Sequence, residues 1–223
     1  MQYTIKKTDI VPTGNGDWVG IPWLSADIAA VSYFHPESTS HRPATFVKVL
    51  YDKKAIFVLF RVIDRYVKSI HTHYQDPVCR DSCVEFFIQP KPEKGYFNFE
   101  INCGGTMLLY YIEDHIRTPD GFKKYTPVAK DIADTVKIFP SLPPVVQPEI
   151  TAPVEWYLEY SIPFALFEYF VGGIEELDGR KLRGNFFKCG DETSHPHWAS
   201  WSPIGGELNF HRPDFFGTLF FSG

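Results

Sequence analysis

The segment RDSCVEFFIQP, residues 80–90, places a carboxylate in the middle of a hydrophobic run. In a β-strand, successive side chains point to opposite faces, so Val84, Phe86 and Ile88 would share one face and Glu85 would lie on the other. A carboxylate in this position can accept hydrogen bonds from the hydroxyl groups of a ligand, exchange a proton, or face solvent. The side chains of the neighbouring strands decide between these roles.

The next predicted strand, Tyr96 to Asn102, alternates in the same way and joins the first through the turn PKPEKG. One face carries the apolar residues Phe97, Phe99, Ile101 and Cys103, and the other carries Tyr96, Asn98, Glu100 and Asn102. Matching the apolar faces of the two strands puts Glu85 nearly opposite Glu100 or Asn102. The sequence therefore predicts a hairpin whose second face is lined by carboxylates, amides and aromatic rings.

Such a face is suited to a polyhydroxy ligand. Carboxylates and amides bind hydroxyl groups, and aromatic rings cover the apolar faces of sugar rings. The alternative is an ordinary solvated face of an antiparallel sheet. On a solvated face, replacing Glu85 would change stability by at most about 0.5 kcal/mol.

An enzyme is a second alternative, because a pair of carboxylates supplies the catalytic groups of most glycoside hydrolases. Cross-strand neighbours such as Glu85 and Glu100 have Cβ atoms about 5 Å apart, close to the spacing of a retaining pair. A hydrolase would also need a deep cleft and two different carboxyl environments. We expect no catalytic residues.

Metal sites and disulfides are weakly indicated. His71 and His73 would share one strand face, as would His195 and His197, but no third ligand has a defined position. The cysteines, Cys79, Cys83, Cys103 and Cys189, lack the spacing of a zinc or redox motif and are expected as free thiols, although sequence alone leaves bridges open. Strand alternation puts Cys83 and Cys103 on opposite faces of the hairpin, so a disulfide between these two is not expected. We expect no metal and no cofactor, since no loop of oxygen ligands indicates structural calcium.

The remaining elements are mostly strands. Beyond the hairpin they are predicted at Ala44 to Leu50, Ala55 to Val62, Met107 to Ile112, Glu155 to Ile162, Gly184 to Cys189 and Gly217 to Phe221. Short helices are predicted at Ser25 to Ala30 and Phe164 to Phe170, and an irregular loop from Thr118 to Thr151. This pattern predicts an all-β fold, an antiparallel β-sandwich of two sheets, as one domain over residues 1–223.

Composition narrows the function classes. The 223 residues carry a net charge of −5 with no basic cluster, so a nucleic-acid partner is not expected. No apolar run is long enough to cross a bilayer, so a membrane partner is not expected either. The N-terminal residues lack a signal peptide, which predicts a cytoplasmic protein, or an exported one whose signal has been removed.

Several segments together resemble the family 9 carbohydrate-binding modules, especially their stand-alone members. These segments are VKVLYDKKAIFVLFRVID, DSCVEFFI, YFNFEINCGG, EWYLEYSIPF, GNFFKC and HRPDFFGTLFF, which run in order from about Ala44 to Phe221. The resemblance implies a β-sandwich that binds a mono- or oligosaccharide without cleaving it. In sugar-binding members, two tryptophans clamp a terminal sugar ring and polar side chains contact its hydroxyl groups.

The resemblance also assigns roles to positions. The family's sugar-binding glutamate falls on Glu85, whereas its arginine falls on Glu100 and its glutamine on Phe187. One clamp tryptophan falls near Cys79, where Tyr74 could substitute, and the other near Phe210. In HWASWSP, Trp198 and Trp201 either pack in the core or form a wall of the site. Of the two, Trp201 is predicted as a ligand-binding residue. The predicted ligand-binding residues are thus Glu85, Glu100, Asn98, Asn102, Tyr74, Tyr96, Trp201 and Phe210.

The predicted function is non-catalytic carbohydrate binding around Glu85. A glycoside hydrolase using Glu85 and Glu100 is one alternative. A sandwich repurposed for protein contacts or another small ligand is the other.

Overall fold

The computed structural model describes residues 1–223, and the chain is almost entirely β-structure. The strands are β1 (Gln2–Lys7), β2 (Ala29–Val31), β3 (Tyr33–Phe34), β4 (Ala44–Tyr51), β5 (Ala55–Asp64), β6 (Val67–Ser69), β7 (Cys83–Gln89), β8 (Tyr96–Asn102), β9 (Met107–Thr118), β10 (Gly121–Pro127), β11 (Lys137–Pro140), β12 (Val146–Ile150), β13 (Val154–Pro163), β14 (Lys181–Cys189), β15 (Trp198–Ser200) and β16 (Gly217–Ser222). The α-helices are α1 (Lys130–Ala133) and α2 (Phe164–Val171), and short 3-10 turns occur at Trp23–Ser25, Val78–Arg80 and Pro213–Phe215. No helix combines the length and apolarity needed to cross a membrane.

Most predicted elements are confirmed, and two are wrong. The predicted helix at Ser25 to Ala30 is instead a 3-10 turn followed by strand β2. The predicted loop from Thr118 to Thr151 contains β10, α1, β11 and β12. These strands lie at sheet edges or are short, so they lack the buried apolar face that makes a strand recognisable in a sequence.

The main sheet has fourteen strands and is mixed, which corrects the prediction of purely antiparallel sheets. Its strand order is β10-β9-β8-β7-β14-β16-β1-β4-β5-β13-β11, and a separate two-stranded sheet pairs β12 with β6. The N-terminal strand β1 pairs in parallel with both β16 and β4. The parallel pairs arise because β1, from the N-terminal end of the chain, lies between β16, the last strand, and β4.

The core lies between distant parts of this sheet. The rings of Phe60 in β5 and Phe186 in β14 approach to 6.3 Å between centroids, although three strands separate β5 from β14 in the sheet order. Both residues belong to a cluster of 40 buried apolar side chains, which also contains Val84, Phe86 and Ile88. The alternation in β7 thus separates a core face from a second face, as predicted.

The register of the hairpin is the one that parity predicts. Val84, Phe86 and Ile88 lie opposite Ile101, Phe99 and Phe97, whereas Glu85 lies opposite Glu100. On its other side β7 pairs with β14, which places Phe187 opposite Glu85. The second faces of four neighbouring strands, β14, β7, β8 and β9, therefore form one continuous surface.

The core assignment predicts the effect of truncating Phe186. This side chain is fully buried and contacts the rings of Tyr3, Phe60, Phe86 and Trp201. Phe186→Ala is expected to lower the free energy of unfolding by about 3–5 kcal/mol in urea denaturation, because it leaves a cavity among aromatic rings.

The matched control is Tyr169→Ala in α2, whose side chain is 71% exposed. Its expected effect is within about 0.5 kcal/mol. Equal losses for the two variants would contradict the placement of the core.

Candidate functional site

A cavity of about 550 Å³ lies against the second face of β7, β8, β9 and β14. Its size is within the range of small-molecule sites. Its ionisable lining residues are Glu85, Glu100, Arg117, Asp191, Glu207 and His211. Its aromatic lining residues are Tyr110, Phe122, Trp198 and Phe210. The lining thus combines carboxyl groups with rings, the two types of side chain that bind sugars.

A second cavity, of about 630 Å³, lies near Lys53, Phe164 and Glu168. It is larger, but the charged side chains around it are mostly exposed. Solvent screens exposed charges, and they are rarely held in one geometry. The smaller cavity, with its buried polar groups, is the better candidate site.

Glu85 forms part of the floor and is buried, with 2% of its surface exposed. The alternative of an ordinary solvated face is therefore wrong, because Trp198 and residues 207–211 enclose this part of the sheet. Oε1 of Glu85 accepts a hydrogen bond from Sγ of Cys189 at 3.2 Å. Its Oε2 is buried and has no hydrogen-bonding partner. Burial, and then the nearby Glu100, raise the pKa of Glu85 well above its ordinary value.

Glu100 faces Glu85 from β8 and is also buried. Nδ2 of Asn98 donates a hydrogen bond to its Oε1 at 2.8 Å, and Nε2 of His211 lies 3.8 Å from the same oxygen. Burial raises the pKa of Glu100 to about 7. Burial also holds the pKa of His211 well below its ordinary value, so this ring is neutral near pH 7.

This pair of carboxyl groups is not the pair that a glycosidase needs. A hydrolase separates its two carboxyl groups by environment, so that one is protonated and the other ionised. Here burial raises the pKa of both Glu85 and Glu100. Two buried carboxyl groups in similar environments favour binding over hydrolysis.

The walls of the cavity are aromatic rings with fixed orientations. Phe210 stacks on Phe187, with ring centroids 4.2 Å apart and planes inclined by 14°. The indole Nε1 of Trp198 donates a hydrogen bond to Oδ1 of Asp191 at 2.7 Å. The backbone N–H of Tyr110 donates to Oδ1 of Asn98 at 2.7 Å. Rings held in this way provide stacking surfaces that lose little entropy when a ligand binds.

The structure brings together four of the predicted site residues, Glu85, Asn98, Glu100 and Phe210, around the cavity. Tyr96 lies behind them, and its hydroxyl group is 2.9 Å from Nδ1 of His211. Tyr96 is thus placed to position His211 rather than to contact a ligand.

Three predicted residues lie elsewhere. Asn102 is fully buried, and its Nδ2 donates to Oδ2 of Asp81 and to the backbone oxygen of His71. The hydroxyl group of Tyr74 donates to the backbone oxygen of Val128, and its ring packs against the main core.

Trp201 is buried beside Phe186, again in the main core. The tryptophan that lines the cavity is Trp198, which pairs with Cys189. Two residues three apart on an extended segment point to opposite faces, so only one of these tryptophans could reach the site. The sequence did not show which face was the core.

Sequence reasoning also missed Tyr110, Arg117 and Asp191. Tyr110 follows the β9 alternation, and its position opposite Asn98 could have indicated that it lines the site.

Arg117 lies near the end of β9, beyond the predicted strand, with its guanidinium carbon 4.0 Å from the Phe122 ring centroid. It lowers the pKa of Glu100, although burial outweighs this effect. Its position depends on how far β9 extends.

The histidines form no metal site with a third ligand. His71 lies beside Asp81, and His73 is exposed. His195 stacks on Tyr66, and Nε2 of His197 is 2.7 Å from the buried ammonium group of Lys188. Nε2 of His197 accepts a hydrogen bond from Lys188, so the lone pair that would bind a metal is already occupied.

Buried carboxyl groups, an amide and stacking rings around one cavity define a ligand-binding β-protein, with recognition groups suited to hydroxyl-rich ligands. The chain belongs to carbohydrate-binding family 9, whose sequence profile matches residues 25–221. This confirms the resemblance found in the sequence. The predicted carbohydrate-binding function agrees with this family.

Solved structures share the fold. A candidate carbohydrate-binding protein from Bacteroides uniformis superposes with a TM-score of 0.85 and 28% identity, over 99% of each chain. A family 9 module from Caldicellulosiruptor kristjanssonii in complex with cellotriose gives a TM-score of 0.65 at 14% identity, covering 100% of this chain and 94% of that one. The same kind of module in complex with glucose gives 0.62 at 14% identity, with 100% and 96% coverage. No curated protein sequence matches the chain.

The raised pKa of Glu100 predicts a pH dependence of stability. The folded state holds this proton up to about pH 7, whereas the unfolded chain releases it near its ordinary value of 4.5. The contribution of Glu100 to stability is therefore full below about pH 4.5 and is lost as the pH rises through about 7. Glu100→Gln removes this term, so the stability of the variant relative to wild type should increase from pH 5 to pH 8.

Denaturant unfolding at several pH values measures this difference. Glu175→Gln, at a 75% exposed side chain, is the control and should show no comparable trend. A constant difference between Glu100→Gln and wild type would show that Glu100 titrates normally.

Proposed function

We propose that the chain binds a mono- or oligosaccharide in the cavity between Glu85 and the half-buried rings of Trp198 and Phe210. The observation that carries this proposal is the buried Oε2 of Glu85, which has no partner within the protein. An unpaired buried polar atom costs about 1–3 kcal/mol. A sugar hydroxyl group that forms a hydrogen bond with this oxygen would remove the cost in the bound state.

The other lining groups would complete recognition. Glu100 and Asn98 are already hydrogen-bonded to each other, so each is held in place for further contacts with hydroxyl groups. Phe210, supported by Phe187, would stack on the apolar face of a sugar ring. Trp198, anchored by Asp191, would form a second aromatic wall.

Glucose and glucose oligomers are the first ligands to test, because family 9 modules of the same fold are in complex with cellotriose and glucose. We do not propose a nucleic-acid ligand. The cavity is lined by Glu85, Glu100, Asp191 and Glu207 against one arginine, Arg117. A lining with one basic side chain offers few partners to phosphate groups.

We also infer that the main sheet folds over itself as a two-layer sandwich, formed by one domain. The contact of Phe60 with Phe186 across three intervening strands supports the two layers. The pairing of β1 with β16 supports a single domain, since it joins both ends of the chain.

A glycan array followed by calorimetry on the hits tests the function. Phe210→Ala should weaken binding of a hit by roughly tenfold or more, because it removes a ring that stacks on the ligand. Glu85→Gln should weaken binding by about two- to tenfold, because it replaces a hydrogen bond of a neutral carboxyl group with one of an amide. It should not destabilise the protein near pH 8, where an ionised buried carboxylate is unfavourable.

The matched control is Val84→Ala, one residue away from Glu85 on the core face. It should lose about 1–3 kcal/mol of stability and keep its affinity for the sugar. No hit across a broad array would refute the proposal. Unchanged affinity in both site variants would move the site elsewhere in the protein.

A further inference from the structure

Two thiols, those of Cys83 and Cys189, lie beside Glu85. The Sγ atoms of Cys83 and Cys189 and a carboxylate oxygen of Glu85 all lie within 4.8 Å of one another. All three residues are buried. Cys189 and Glu85 also line the cavity, so the cluster borders open space on one side.

The strand register produces this cluster. Cys83 in β7 and Cys189 in β14 are direct cross-strand partners. Glu85 is two residues beyond Cys83, so its side chain lies on the same face of β7. The central strands of the sheet hold all three residues, so the donors have little freedom to move apart.

The distances are compatible with a tetrahedral metal centre. With bonds of about 2.3 Å to sulfur and 2.0 Å to oxygen, tetrahedral angles separate two sulfurs by about 3.8 Å and a sulfur from an oxygen by about 3.5 Å. Sγ of Cys189 is 3.2 Å from Oε1 of Glu85, and both sulfurs lie within the 4.8 Å limit. Shifts of a few tenths of an ångström to about 1 Å would complete the geometry.

We propose that Cys83, Glu85 and Cys189 bind a thiophilic divalent cation, with Zn²⁺ the best fit. Two sulfurs and one oxygen form the ligand set that zinc accepts, and calcium or magnesium would need oxygen ligands. The three donors occupy one side of the ion. The fourth position faces the cavity, where a water molecule or a ligand hydroxyl group can bind. This site goes beyond sugar binding and does not depend on it.

Charged groups of both signs lie near the cluster. Glu100 is opposite Glu85 on β8, Asp191 follows Cys189 by two residues, and the buried ammonium group of Lys188 donates to the backbone oxygen of Cys189. Binding of Zn²⁺ would form two Zn–S bonds and one Zn–O bond and would release to solvent the protons that the two thiols and the carboxyl group of Glu85 carry, so affinity should fall as the pH is lowered.

The test uses the full chain, reduced and freed of metal with a chelator. Zinc affinity is measured by competition with a chromogenic chelator. Co²⁺ is used as a spectroscopic probe, because thiolate ligands give a near-ultraviolet charge-transfer band. Wild type should bind one Zn²⁺ per chain, and its Co²⁺ form should show that band. Cys83→Ser and Cys189→Ser should each weaken zinc binding by roughly a hundredfold or more, and Glu85→Gln by about tenfold or more.

Cys103→Ser is the matched control, since Cys103 is a buried thiol in the main core. It should bind zinc as wild type does. Far-UV circular dichroism verifies that each variant is folded, and Cys→Ala versions provide a second set. The proposal fails if wild type binds no stoichiometric zinc, or if folded Cys83 and Cys189 variants keep wild-type affinity. Either result leaves sugar binding untouched, because no sugar is present.

Discussion

The antiparallel register of β7 with its two neighbours is the constraint on which the site depends. It places Glu85 opposite Glu100 on one side and opposite Phe187 on the other. A slip of β7 by one residue would move Glu85 to the core face and turn Val84 and Phe86 towards the second face. The large apolar core face fixes the register, and the register fixes the chemistry of the second face.

Burial gives that chemistry its character. On a solvated face, Glu85 and Glu100 would be ordinary ionised carboxylates. Enclosed by Trp198 and residues 207–211, they keep their protons to higher pH, and Oε2 of Glu85 lacks a partner. The protein tolerates an unfavourable local arrangement, and such sites are commonly functional. The cost is offset by the main core, to which the other faces of the same strands contribute.

The aromatic residues serve two separate purposes. Phe86, Phe99 and Phe186 fill the core, whereas Phe210 and Trp198 line the cavity at half-buried positions. Phe187 lies beneath Phe210 and supports its ring.

The sequence by itself determined the all-β class, the family, the main strands and the pairing of Glu85 with the next strand. These depend on local alternation and on short connections, which a sequence displays directly. It could not determine which of Trp198 and Trp201 faces the cavity, that Tyr74 and Asn102 lie outside it, or that Cys83 meets Cys189. Those contacts join segments up to about a hundred residues apart, so only the packing of distant strands decides them. The burial of Glu85 has the same origin, since residues 207–211 cover it from the far end of the chain.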